Sequence, residues 1–132
     1  MRIPFNDCRP TARLACLLGC ALLASACDTR DMPAPPASAL GNAERGQRLL
    51  AQFQCGACHQ IPDVPAARSH VGPSLANLGR QSYIAGQFAN QPETLVRWIV
   101  DPQAMLPGTA MPAMGVSPDQ ARDMAAYLYG LP

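Results

Sequence analysis

A chain of 132 residues with a formal charge of +1 has the length of one domain, and its near-neutral balance gives no support to nucleic-acid binding. Hydrophobic residues make up 48%, enough for a core, but many of them are concentrated at the start of the chain. Six cysteines in so short a chain would suggest three disulfides, a framework that their positions take apart.

Residues 1–26 read as an export signal. Arg2, Arg9 and Arg13 form a basic segment, and Leu14 to Ala26 is an uncharged run of small and aliphatic residues. That run is short of the ~20 apolar residues of a membrane span and has the size of a signal-peptide apolar region. LLASAC, Leu22 to Cys27, places small residues before a cysteine and resembles a bacterial lipobox, with Ala24 where leucine is more usual. On that reading Cys27 is lipidated and becomes the first mature residue; the alternative is an ordinary cleaved signal beside a chance cysteine. Asp28 directly after it suggests retention on the periplasmic face of the inner membrane. Cys8, Cys16 and Cys20 are discarded in either case, which leaves Cys55 and Cys58 with no disulfide framework.

The stretch 27–41 is a tether. Pro33, Pro35 and Pro36 exclude a helix interior or a central strand. At ~3.1 Å per residue it can hold a domain up to roughly 40 Å from a bilayer. The folded domain then occupies 42–132.

Three helices are expected there. Asn42 caps the first, which runs to Phe53 with Ala43, Gly46, Leu50 and Phe53 on one face. Gly46 costs ~1 kcal/mol against alanine in a helix interior, a cost that suits the close approach of another backbone. The second runs from about Pro92 to Val100 with Leu95, Trp98 and Ile99 inward, and Asp101-Pro102 stops it. Ser117, Pro118 and Gln120 open the third with a capping box, Ala121, Met124, Ala125 and Leu128 form its apolar stripe, and Gly130 ends it. No alternating run of strand length occurs, so the class is all-α. About ninety residues with so few core side chains need a staple, and a large apolar cofactor would serve as one.

CGACHQ, residues 55 to 60, supplies the attachment. Zinc needs four ligands, and no second cysteine pair or histidine cluster completes a set. A redox dithiol expects a βαβ setting. Cys-x-x-Cys-His is the attachment signature of a c-type haem: Cys55 and Cys58 form two thioether bonds from one turn of chain, and His59 is aimed at the iron. His59 fills one axial position. The proline- and methionine-rich loop Met105 to Gly115 offers the other donor, and Met111, stiffened by Pro112, is the first choice, with Met105 and Met114 as alternatives. His70 is too close in sequence to His59 to reach the opposite face and reads as a loop histidine.

The ordered set GNAERGQRLLAQFQCGACH, GPSLANLGR, GTAMP and AAYLYG resembles class I cytochromes c from Gly41 to Leu131. VGPSLANLGRQSYIAG and NQPETLVRWIVDPQAMLPGTAMP look closest to the cytochrome c domains fused to subunit II of haem–copper oxidases, here without a copper-binding half. The resemblance implies the cytochrome c fold, three to four short helices and loops around one covalent haem c. It also implies roles at matching positions: the Pro73 carbonyl accepts from the His59 ring, Arg80 pairs with a haem propionate, and Trp98 packs near the haem edge. Gly46 and Tyr127 would lie where the first and last helices cross.

With His59 and Met111 both bound, iron has no open position, which suits outer-sphere electron transfer rather than catalysis. The mature chain has seven arginines, eight acidic residues and no lysine, so a lysine-ringed docking face is excluded. The expected function is that of a monomeric, membrane-tethered periplasmic carrier between respiratory complexes, such as a quinol-oxidising complex and a terminal oxidase. The alternatives are a permanent haem subunit of an oxidase or dehydrogenase, and a haem-based gas sensor in which ligand displaces Met111.

Overall fold

The first helix begins where the sequence supplies its cap: the Asn42 side chain accepts from the Arg45 N–H at 2.7 Å and opens α1, Ala43–Gln52. The structure is a computed structural model and describes residues 40–131. The signal segment 1–26, Cys27 and nearly all of the 27–41 tether lie outside the described residues.

Gly46, Leu49 and Leu50 are the buried positions of α1. Leu49 therefore belongs to the inward face, while Ala43 and Phe53 are only half-buried, a rotation of the expected stripe towards the last helix. After α1 the chain turns sharply through Gln54, left-handed at φ 56°, into a 3-10 turn at Cys55–Ala57. A second 3-10 turn spans Leu78–Arg80.

Two strands of two residues follow, β1 Tyr83–Ile84 and β2 Phe88–Ala89, paired antiparallel with Tyr83 opposite Ala89 and Ile84 opposite Phe88. Ala85, Gly86 and Gln87 join them, the first two with positive φ of 51° and 70°, and Gln87 N donates to the Ile84 carbonyl at 3.1 Å. Strands this short leave no alternating run to read, and the class stays all-α.

Helix α2, Pro92–Val100, buries Leu95, Trp98 and Ile99. Asp101 ends it and at once begins another element: its carboxylate accepts from the Ala104 N–H at 3.0 Å and caps α3, Pro102–Met105. Pro102 thus stops one helix and fills the first position of the next, where its missing N–H costs nothing. Helix α4, Pro118–Tyr129, carries the expected capping box, with Ser117 Oγ accepting from Gln120 N at 3.3 Å and Gln120 Oε1 accepting from Ser117 N at 2.9 Å. Among the described residues no helix is long and apolar enough to cross a membrane.

Packing of α1 across α4 organises the core, and α2 rests on α4 beside it. At the crossing a β-carbon on Gly46 would lie 2.5 Å from the Asp123 carbonyl carbon and 2.9 Å from the Met124 nitrogen, so only glycine fits. Tyr127, on α4, donates its hydroxyl to the Pro62 carbonyl at 2.7 Å and ties the helix to the loop after the Cys-x-x-Cys-His turn. Asp123 is buried on the α1 side of α4. Its Oδ1 accepts from the Asn42 N–H at 2.8 Å and from Arg45 Nη2 at 2.9 Å, while Arg45 Nε donates to Oδ2.

Candidate functional site

The Cys55–Ala57 turn presents two cysteines and a histidine within five residues. Cys58 N and His59 N both donate to the Cys55 carbonyl, at 3.2 and 3.0 Å, so the three side chains leave one tight turn. Cys55 is half-buried against the core, Cys58 is exposed, and both thiols are free. Burial pushes the Cys55 thiol up, whereas the attacking thiol of a redox dithiol is one whose pKa is lowered. Among the described residues no three His, Cys, Asp or Glu side chains converge to hold a metal ion. Both the dithiol and the all-protein zinc site are therefore poor fits.

His59 is fixed from two sides. Its Nδ1 lies 2.7 Å from the Pro73 carbonyl oxygen, which makes Nδ1 the protonated nitrogen and leaves the Nε2 lone pair for a metal. Gly72 is the other side of the seat: a β-carbon there would come within 2.6 Å of His59 Cε1 and 2.8 Å of Nδ1. The loop holding both residues is sewn to the turn by Gly72 N to Cys58 O at 2.7 Å and Leu75 N to Gln60 O at 2.9 Å. Sequence reading missed Gly72; its place before Pro73 was the only available signal.

The candidate sixth-ligand methionines are placed differently. Met111 is half-buried against the core, and Met114 is 44% exposed. Met105, at the end of α3, lines a groove with Leu40, Val96, Val100 and Arg122, whose walls include none of Cys55, Cys58 and His59. Of the three, Met111 best combines partial burial with a free loop setting. His70 is exposed, two residues before Gly72.

Arg80 is exposed at the end of its turn. That turn is held by Asn90, whose Nδ2 donates to the Leu78 carbonyl at 2.6 Å and to the Gln81 carbonyl at 2.8 Å. Asn90 Oδ1 in turn accepts from the Tyr129 hydroxyl at 2.6 Å. Burial, with the negative charge of Glu93 second, pushes Tyr129 up to about 12, so it remains a donor at any ordinary pH. Trp98 is buried, its ring 6.0 Å from that of Phe88 and tilted by 44°. Two cysteines in one turn and an imidazole with one nitrogen locked and the other free fit a covalent haem bound through a histidine.

A model of the family described as cytochrome c matches residues 43–132. The chain is similar to cytochrome c2 of Rhodoblastus acidophilus, 33% identical over 101 residues that cover 67% of this chain and 91% of that protein. It is also similar to cytochrome c oxidase subunit 2 of Alkalihalophilus pseudofirmus, 33% identical over 90 residues, and of Bacillus subtilis, 28% identical over 93 residues. The matched part is 25% and 26% of those two subunits, so the chain spans about a quarter of their length. Among solved structures, SoxXA from P. pantotrophus superposes with a TM-score of 0.51 at 25% identity, over 69% of this chain and 82% of that one.

Proposed function

From the premise that the chain belongs to the cytochrome c family, as a class I c-type cytochrome with covalently bound haem c, we propose that it is a lipid-anchored periplasmic electron carrier serving respiratory complexes. Haem c supplies a one-electron Fe(III)/Fe(II) couple. Cys55 and Cys58 would hold it from one turn, and His59 Nε2 would bind its iron. The observation that carries the reading is the seat of His59, held between the Pro73 carbonyl and Gly72. A locked imidazole minimises the rearrangement between oxidation states.

Met111 would supply the second protein ligand to the iron in this proposal. A neutral sulfur favours Fe(II) and raises the reduction potential. With both positions filled by side chains, the site would keep oxygen and other small ligands off the metal, which suits electron transfer rather than ligand binding. Arg80 would offset propionate charge, held in place by the Asn90 clamp on its turn, and Trp98 would pack against the ring. Cys27 and the Pro/Ala-rich tether support the anchor, because tethering raises the effective concentration near a membrane partner.

A second reading rests on the likeness to two cytochrome c oxidase subunits: the chain is a permanent haem subunit of an oxidase. Mild-detergent extraction separates the two, since a carrier comes away alone and a subunit co-purifies with its complex. The ligand set is tested by redox-titrated absorption spectra of wild type and Met111→Leu. The weak sulfur–iron band of the oxidised wild type should be absent from the variant; its persistence would remove Met111 from the site.

A further inference from the structure

We propose that Gln103 is a positioning residue that holds the Met111 loop closed over the metal, an inference that rests on Met111 being the sixth ligand. Gln103 sits on the four-residue helix α3, and its carboxamide reaches forward across the loop. Nε2 donates to the Thr109 carbonyl at 2.6 Å and to the Met111 carbonyl at 3.2 Å, and Oε1 accepts from the Gly108 N–H at 3.3 Å. One side chain thus fastens three of the four residues that end in Met111.

Little else fastens them. Thr109 N donates to the Leu106 carbonyl at 3.1 Å, which closes the turn before Met111. Beyond it, among the described residues, the one hydrogen bond to the backbone of residues 110–116 is the bond that the Met111 carbonyl accepts from Gln103. Pro112 stiffens the next residue but cannot donate. Gly108, at φ 85°, takes the left-handed turn that glycine favours at the start of this loop. A soft iron–sulfur bond on such a loop is in equilibrium with an open form, and Gln103 biases that equilibrium towards closure.

Loss of amide bonds of ordinary net strength changes a two-state ratio by roughly 5- to 30-fold. An external ligand that binds only the open form gains apparent affinity in proportion to the open fraction. Imidazole is a suitable probe for the oxidised holoprotein. Gln103→Ala should bind it roughly 5- to 30-fold more tightly than wild type, while keeping the sulfur–iron band when imidazole is absent. Gln103→Glu keeps the length and the acceptor but loses both donors, and should shift affinity in the same direction. Because Gln103 is exposed, both variants are expected to fold, which their thermal midpoints check. Wild-type imidazole affinity in both variants, with the band lost in Met111→Leu, overturns the role of Gln103 alone. A band that survives in Met111→Leu overturns the ligand assignment and this inference together.

Discussion

Gly72 has no side chain because the His59 ring occupies the space where one would be. Adding a single methyl group there must displace either the imidazole or the loop that supplies the Pro73 carbonyl, and both movements open the 2.7 Å contact at Nδ1. Gly72→Ala should therefore destabilise the holoprotein by ~1–3 kcal/mol, the usual range for overpacking. Val71→Ala is the control: Val71 is 82% exposed and should stay within about 0.5 kcal/mol of wild type. Denaturant midpoints of the two variants decide the matter, and equal midpoints would show that the glycine is not part of the seat. The haem-attachment motif was legible in the sequence because Cys55, Cys58 and His59 lie within five residues and their chemistry depends on spacing alone. Gly72 was not, since contact with the ring arises only after the twelve residues between them have folded back.

At the scale of elements, the same division holds. Helix boundaries were readable where a local cap writes them, as at Asn42 and Ser117. Helix α3 was hidden because Asp101-Pro102 reads as a stop, although the same aspartate caps the next turn. Asp123 was hidden for a different reason: its partner Arg45 is 78 residues away, a distance that no helical period reports. This pair fastens α1 to α4 beside the Gly46 crossing. Burial alone would push the Asp123 carboxyl up, but the Arg45 hydrogen bond, the Asn42 N–H and the arginine's charge together hold it below the ordinary value. A depressed folded value means that the stabilisation is fully present above the unfolded pKa of ~3.9 and fades as pH falls through the folded one. Asp123→Asn should lower the melting temperature at pH 7, and the gap to wild type should narrow steadily below about pH 4. A gap that is independent of pH would mean that shape rather than charge accounts for the pair.

For the whole molecule, the question is what keeps so small an assembly folded. The three principal helices have 10, 9 and 12 residues, and isolated helices below ~12–15 residues are marginal in water. The remaining described chain is mostly turns and loops, several of them strained: Gln54, Asp63, Ala66 and Ala85 all have positive φ without being glycine. Conformations of that kind cost of order 1–3 kcal/mol each and persist only where the surroundings over-determine them. The α1–α4 crossing supplies part of that determination, but Cys55, Met111, Phe88, Leu106 and Tyr129 are only half-buried and have apolar surface left to cover. A flat apolar ring bonded at Cys55 and Cys58 would add apolar surface for half-buried side chains to pack against. The fold and the cofactor are then one cooperative unit. Cys55→Ala/Cys58→Ala, which forms neither thioether, should lose most of its far-ultraviolet helical signal and its sharp thermal transition, while the holoprotein keeps both. Circular dichroism during a thermal ramp reads this directly. A cooperative transition in the double variant close to that of the holoprotein would show that the α1–α4 crossing suffices, and that the haem is a passenger in a fold already complete.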